Sequence, residues 1–162
     1  MEGPARCAAL SVTLPLGEYH KEKILNLGQN RFVFRPQVGM VHTRGPWSFE
    51  LTGSVFLYTA NDSFRTDRTR EQDPVYALQS HVVYASPKRW WVSVGSAYGS
   101  GGESRIDGIS SDDTGRDWLY GVSTGLALSR QFSVKIGYVG SRTRDDIGAD
   151  LDNLTLAFTM RF

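Results

Sequence analysis

Leu151 to Phe162 reads LDNLTLAFTMRF. From Leu154 every second side chain is apolar: Leu154, Leu156, Phe158, Met160 and Phe162. Asn153, Thr155, Ala157, Thr159 and Arg161 lie between them. A period of two is the mark of a β-strand with one apolar and one polar face. An aromatic residue closing such a strand is the usual ending of an outer-membrane β-barrel, although soluble sheets also close on apolar strands. The other strands decide whether the apolar faces point outward into lipid or inward to a core.

At 162 residues the chain has the length of one domain, enough for a soluble sandwich or about eight membrane strands. A formal net charge of +1 gives no sign of nucleic-acid binding. The mean hydropathy is below zero, and no apolar run approaches the ~20 residues of a membrane helix. That argues against a helical membrane protein and leaves a barrel open, because barrel strands are only half apolar. Cys7 is the only cysteine, so no internal disulfide or cysteine metal site is expected. The opening MEGPARCAALSV has no charged segment leading into an apolar one, so it does not read as an export signal. For an exported barrel, the expectation is that amino-terminal sequence is missing from these 162 residues.

Working outward, seven more alternating stretches appear. They run over 8–16, 31–43, 47–60, 75–85, 90–99, 118–128 and 132–140. Phe32, Phe34, Pro36, Val38 and Met40 share one face of the second; Trp47, Phe49, Leu51, Val55 and Leu57 share one face of the third. Pro15 weakens the first, since proline donates nothing to a ladder. The connections alternate in length: long at 17–30, short at 44–46, long at 61–74, short at 86–89, long at 100–117, short at 129–131 and long at 141–150. Membrane barrels alternate short periplasmic turns with longer external loops in this way. The long connections are therefore expected outside and the short ones in the periplasm.

Aromatic residues cluster at the ends of the apolar faces: Trp47, Tyr76, Tyr84, Trp90, Tyr98, Trp118, Tyr138 and Phe162. They are expected to form the two membrane girdles. Pairing Tyr84 with Trp90 would put Val82 by Val92 and Tyr76 by Tyr98; a slip of two residues keeps the same faces. Eight residues at ~3.3 Å each, tilted about 40°, give a height of roughly 20 Å, against an apolar band of about 25 Å. The opposite faces are mostly Gly, Ser, Thr and Ala, with sparse Arg35, Gln37, Glu50, Gln79, His81, Lys135 and Arg161. A soluble sheet would carry long charged side chains on its wet face; small and polar residues suit the inside of a barrel. Those seven are the candidate lumen-lining residues, either as a structural ion network or as a lining that selects solutes.

Signs of catalysis are weak. Asp112–Asp113, Asp145–Asp146 and Asp150 with Asp152 lack calcium-loop spacing and read as solvated loop charge. His20, His42 and His81 form no metal pattern, and no nucleophile motif is recognisable. Gly95, Gly99, Gly101 and Gly102 lie at a strand end with no helix after them, so a phosphate loop is not expected. No enzyme activity, metal or cofactor is expected.

Several motifs in order resemble one family, the outer-membrane transporters named for the meta-pathway of phenol degradation. Pro15, Gly17 and Tyr19 match its Pro-x-Gly-x-Tyr segment. Asn26, Leu27, Gly28, Asn30 and Arg31 match its Asn-Leu-Gly-x-Asn-Arg loop. Thr59 to Phe64, Glu71 to Pro74 and Ile147 to Asp150 match further segments. The resemblance covers nearly all of the chain from about Leu10. It implies an outer-membrane barrel that helps small hydrophobic or aromatic compounds cross, with no catalytic residues. Family members are usually longer at the amino end, so the chain is expected to be either an eight-stranded barrel or the carboxyl-terminal part of one of about twelve strands.

The sequence thus predicts a transmembrane antiparallel up-and-down β-barrel in the bacterial outer membrane, one domain over 1–162. Its expected partners are outer-membrane lipid, the barrel assembly machinery, which reads the end at Phe162, and small hydrophobic or aromatic solutes. Asn26, Gly28, Asn30 and Arg31 are the candidate external-loop residues. Two other readings remain at this point: a structural or adhesive barrel with a plugged lumen, and a soluble β protein.

Overall fold

The computed structural model describes residues 3–23, 25–143 and 150–161. Twelve strands in chain order form two sheets. Eight long strands make the wall: β1 (Ala5–Thr13), β2 (Val33–Arg44), β3 (Trp47–Tyr58), β6 (Val75–Ala85), β7 (Trp90–Gly101), β10 (Gly115–Ala127), β11 (Phe132–Thr143) and β12 (Leu151–Met160). Each pairs antiparallel with the next wall strand along the chain. Among the described residues β1 and β12 are the two edges of this sheet and do not pair with each other. The second sheet, β4 (Asn61–Phe64), β5 (Arg68–Gln72), β8 (Ser104–Ile106) and β9 (Ile109–Ser110), is built wholly from two of the long connections.

Among the described residues no hydrophobic side chain is buried. The large apolar residues stand in register on one face across neighbouring strands. Val38 faces Gly53 and Met40 faces Leu51; Val82 lies between Phe49 and Val94, and Val94 between Val82 and Val122. Ile136 faces Leu156 and Val134 faces Phe158. Val38 is 65 % exposed and Phe158 is 74 % exposed. A soluble sheet buries this face against another layer; among the described residues nothing covers it. Among the described residues no helix is long and apolar enough to cross a membrane.

The structure corrects the sequence reading in four places. First, β1 lies three residues earlier than expected. Ala5, Arg6 and Cys7 pair with Val41, Met40 and Gly39, and the strand stops at Thr13, before Pro15. Leu14 and Leu16 fall outside it. Second, the 75–101 hairpin takes the slipped register, with Tyr84 opposite Val92, Val82 opposite Val94 and Leu78 opposite Tyr98. The turn explains it: Ser86 N donates to Trp90 O at 2.8 Å and Arg89 takes φ +68°. A three-residue loop ending in a left-handed residue puts Pro87 at the position that suits its fixed φ. Third, β7, β10 and β11 run further toward the long connections than the apolar pattern does. Fourth, the charged segment 61–74, expected as a loop, holds the paired strands Asn61–Phe64 and Arg68–Gln72 about a turn at 65–67.

Aromatic contacts mark both ends of the wall. At the short turns, Trp47 meets Tyr84 at 4.9 Å between ring centroids and Tyr84 meets Trp90 at 5.4 Å. Toward the long connections, Tyr98 meets Trp118 at 5.8 Å and Tyr120 meets Tyr138 at 6.2 Å. Tyr76 stands on the same outer face, beside Val55 and Ser100. Phe162 lies outside the described residues.

A charge on the two faces should have unequal cost. Val94→Arg, in mid-strand on the apolar face, is expected to lose about 2–4 kcal/mol of folding free energy in a bilayer. Gln79→Arg, on the opposite face, is expected to change it by about 0.5 kcal/mol or less. Reversible folding into bilayers, read by heat-modifiable gel mobility, measures both; equal losses would contradict a lipid-facing Val94.

Candidate functional site

The face opposite the apolar one is shallow and polar. β2 contributes Arg35 and Gln37, β3 Glu50, β6 Gln79 and His81, and β11 Lys135, all on this face by register. They form no single cluster. His81 Nδ1 lies 4.0 Å from Glu50 Oε2, and its Nε2 lies 3.5 Å from Gln79 Nε2. The His81 ring rests on Gly95, where an added Cβ would come within 2.2 Å of it, so glycine there makes room for the imidazole. Arg35 stacks over Phe56 at 4.6 Å and donates to Ser54 Oγ at 3.3 Å. Lys135 sits 5.9 Å from the Trp91 ring. Arg161 follows β12 and its amide donates to Gln131 O at 2.9 Å, at the short-turn end. A groove of about 390 Å³ runs along this face between β6 and β12, lined by Gln79, His81, Ser93, Leu119, Lys135 and Thr155.

The densest polar network lies at the other end, where the long connections meet. Asn61 is 3 % exposed and holds three segments together. Its Nδ2 donates to the Tyr19 hydroxyl at 3.0 Å and to Gln29 O at 3.2 Å. Its Oδ1 accepts from Asn30 Nδ2 at 2.9 Å and from the Ser63 amide at 3.1 Å. The Tyr19 hydroxyl donates in turn to Ser63 O at 3.2 Å. Asn30 adopts φ +51°, a left-handed conformation that asparagine tolerates better than most residues. Asn26 accepts from the His20 amide at 2.7 Å and donates to His20 O and Lys23 O. Gly28 passes so close to Gly17 that a Cβ on it would lie 2.6 Å from Gly17 O.

Arg31, 8 % exposed, continues the network. Nη2 donates to Gln72 Oε1 at 2.6 Å and Nε to Gln29 Oε1 at 3.2 Å, while the guanidinium lies 4.4 Å over the Tyr58 ring. Nη1 is shut off from solvent and has no acceptor. Burial, with repulsion from Arg70 added, lowers the pKa of Arg31 from its ordinary value; an arginine remains charged even so. Gln72 passes the chain of bonds to Gly102 O at 3.0 Å, and Arg105 clamps Asp73 with two bonds of 2.8 and 2.7 Å. That pair is well exposed, so it fixes orientation more than it stabilises.

Of the acidic pairs singled out in the sequence, Asp113 accepts from the Ser104 amide and hydroxyl. Burial pushes the Asp113 carboxyl up, but these bonds outweigh it and hold the pKa below the usual carboxylate range. Asp152 pairs with Arg142 at 2.9 Å, and Asp150 accepts from the Thr143 amide. Asp145 and Asp146 lie outside the described residues, as do Ile147 to Ala149. Among the described residues no three His, Cys, Asp or Glu side chains are grouped to hold a metal ion.

The structure thus brings Asn26, Gly28, Asn30 and Arg31 together, and joins them to Tyr19, Asn61, Gln72 and Arg70. Sequence reasoning did not place the last three in the site. A signal was there: the motif segments at 15–31, 59–64 and 71–74 are the segments that fasten to one another.

A profile of the family described as "Putative MetA-pathway of phenol degradation" matches residues 2–147. The chain belongs to this family. Its fold is also that of a solved outer membrane channel from Pseudomonas putida F1, at a TM-score of 0.81 and 26% identity. The match covers 94% of this chain and 57% of the channel. No curated protein matches. The protein is an outer-membrane β-barrel protein, and its apolar face is the lipid face.

Asn61→Ala removes a partner from Tyr19, Asn30, Gln29 and the Ser63 amide at once. It is expected to lower the free energy of opening of segment 59–74 by about 1–3 kcal/mol. Hydrogen exchange of this protein in detergent should show faster exchange there and unchanged protection in β7 and β10.

Proposed function

We propose that the protein is a passive channel through which small hydrophobic or aromatic compounds cross the outer membrane. The observation that carries this reading is the wall's second face: among the described residues it is rich in Gly, Ser, Thr and Ala, with charged or titratable side chains such as Glu50, His81, Arg35, Lys135 and Asp117 spread along it. Such a face leaves room for solutes and offers scattered polar contacts. Family membership and the likeness to an outer membrane channel support it. In this reading the long connections and the second sheet stand outside the cell and the short turns face the periplasm. Outer-membrane lipid and the barrel assembly machinery are its partners, and no chemistry is performed. Liposomes holding the complete protein are expected to become permeable to a small aromatic acid. Permeability equal to that of empty liposomes would overturn the channel and leave a structural or adhesive barrel.

We further propose that additional strands of the same protein join β12 to β1. Unpaired N–H and C=O groups along a strand edge cost several kcal/mol each inside hydrocarbon, so open sheets do not span membranes. The chain's span of 57% of the channel's length leaves room for further strands. Reading the gene beyond these 162 codons is the check. In-frame sequence with alternating apolar residues is expected; stop codons on both sides would refute it.

A further inference from the structure

A cavity of about 330 Å³ opens between the 17–31 segment and the β4–β5 hairpin, beneath the Asn61 network. Its lining is cationic and aromatic: Arg31, Arg70 and Lys23 with Tyr19 and Phe64. Among the described residues no carboxylate comes within ion-pair distance of these three cations, although Lys21 nearby has Asp67 at 2.9 Å. Arg31 lines the cavity with its Nη1 buried behind the surface, and Arg70, whose charge also reaches Asp113, lies 5.4 Å from the Phe64 ring centroid. Cations gathered with no carboxylate in contact favour an anion among them. A carboxylate supplies it, since its two oxygens match the planar fork of a guanidinium. Tyr19 and Phe64 add an apolar wall, and the volume lies at the small end of ligand pockets.

We propose that this cavity is a binding site for a small organic carboxylate with a flat apolar body, held by Arg31 and Arg70 against Tyr19 and Phe64. Lys23 adds positive charge at the same place. The site sits in the connections and not in the wall, so occupancy is separable from permeation. A protein that binds and does not conduct would leave the site standing and remove the channel; one that conducts and does not bind would do the reverse.

The test is equilibrium binding to the complete protein in detergent micelles, with benzoate as probe and benzyl alcohol and inorganic phosphate as controls. Saturable binding of benzoate is expected, weakening with salt, with little binding of benzyl alcohol. Arg31→Lys keeps the charge and loses the fork; it is expected to weaken benzoate about tenfold. Arg70→Gln, at a side chain that makes none of the Asn61 hydrogen bonds, is expected to weaken it several-fold with the fold intact, and decides the matter if Arg31→Lys disturbs the loops. Absence of saturable benzoate binding, equal binding of benzyl alcohol or phosphate, or unchanged affinity in Arg70→Gln would each overturn the proposal.

Discussion

The structure depends on one constraint: in hydrocarbon the backbone has no water to bond with, so every strand must find its partner on both sides. That constraint replaces the hydrophobic core. With no apolar side chain buried among the described residues, side-chain packing inside the protein cannot hold the sheet together. The ladders do so, each wall strand pairing with the next wall strand along the chain over nine to twelve residues. Apolar side chains then contribute by facing lipid, and their requirement is merely to be apolar and on the outer face. This explains the mixed company of Val, Leu, Phe, Met and Trp at equivalent positions, where a packed core would demand fitted volumes.

The same constraint divides the chain by height. Within the wall, side chains alternate apolar out and small or polar in, and hydrogen bonds between side chains are few. Above it, where water is available, the rule relaxes and polar side chains organise the chain. Asn61, Arg31 and Gln72 do there what the ladder does below, by pairing otherwise idle backbone and side-chain groups across three connections. The second sheet follows from this: 61–72 and 104–110 extend beyond the wall as strands because two long connections side by side can continue a ladder. Their side chains need no apolar alternation, since neither face meets lipid.

That difference sets what could be read from the sequence. The wall was legible because lipid imposes a strict period of two, and residues such as Leu154, Leu156 and Phe158 announce it. Strand ends were less so. Leu14 and Leu16 continue the alternation past the point where Pro15 ends the pairing, and in β1 the actual start, Ala5–Arg6–Cys7, has no apolar pattern at all. The hairpin register escaped because a two-residue slip preserves both faces; Pro87 and Arg89 in the turn held the answer. β4, β5, β8 and β9 were invisible to hydropathy. At the candidate site, Asn26, Gly28, Asn30 and Arg31 stood out through their motif, whereas Asn61, Gln72 and Arg70 join them only in three dimensions.

One consequence links the two levels. In the proposed channel, a lumen face rich in Gly, Ser and Ala is permissive, so a wall of this kind discriminates poorly by shape. The loops above it can afford what the wall cannot: a buried guanidinium stacked on Tyr58, bonded to Gln29 and Gln72, and still short of an acceptor. Such a group is held in place before any ligand arrives, so little ordering is left for binding to cost. In the proposed channel the labour is divided by solvent: recognition stands where water and loops permit charged geometry, and passage lies where lipid dictates the backbone.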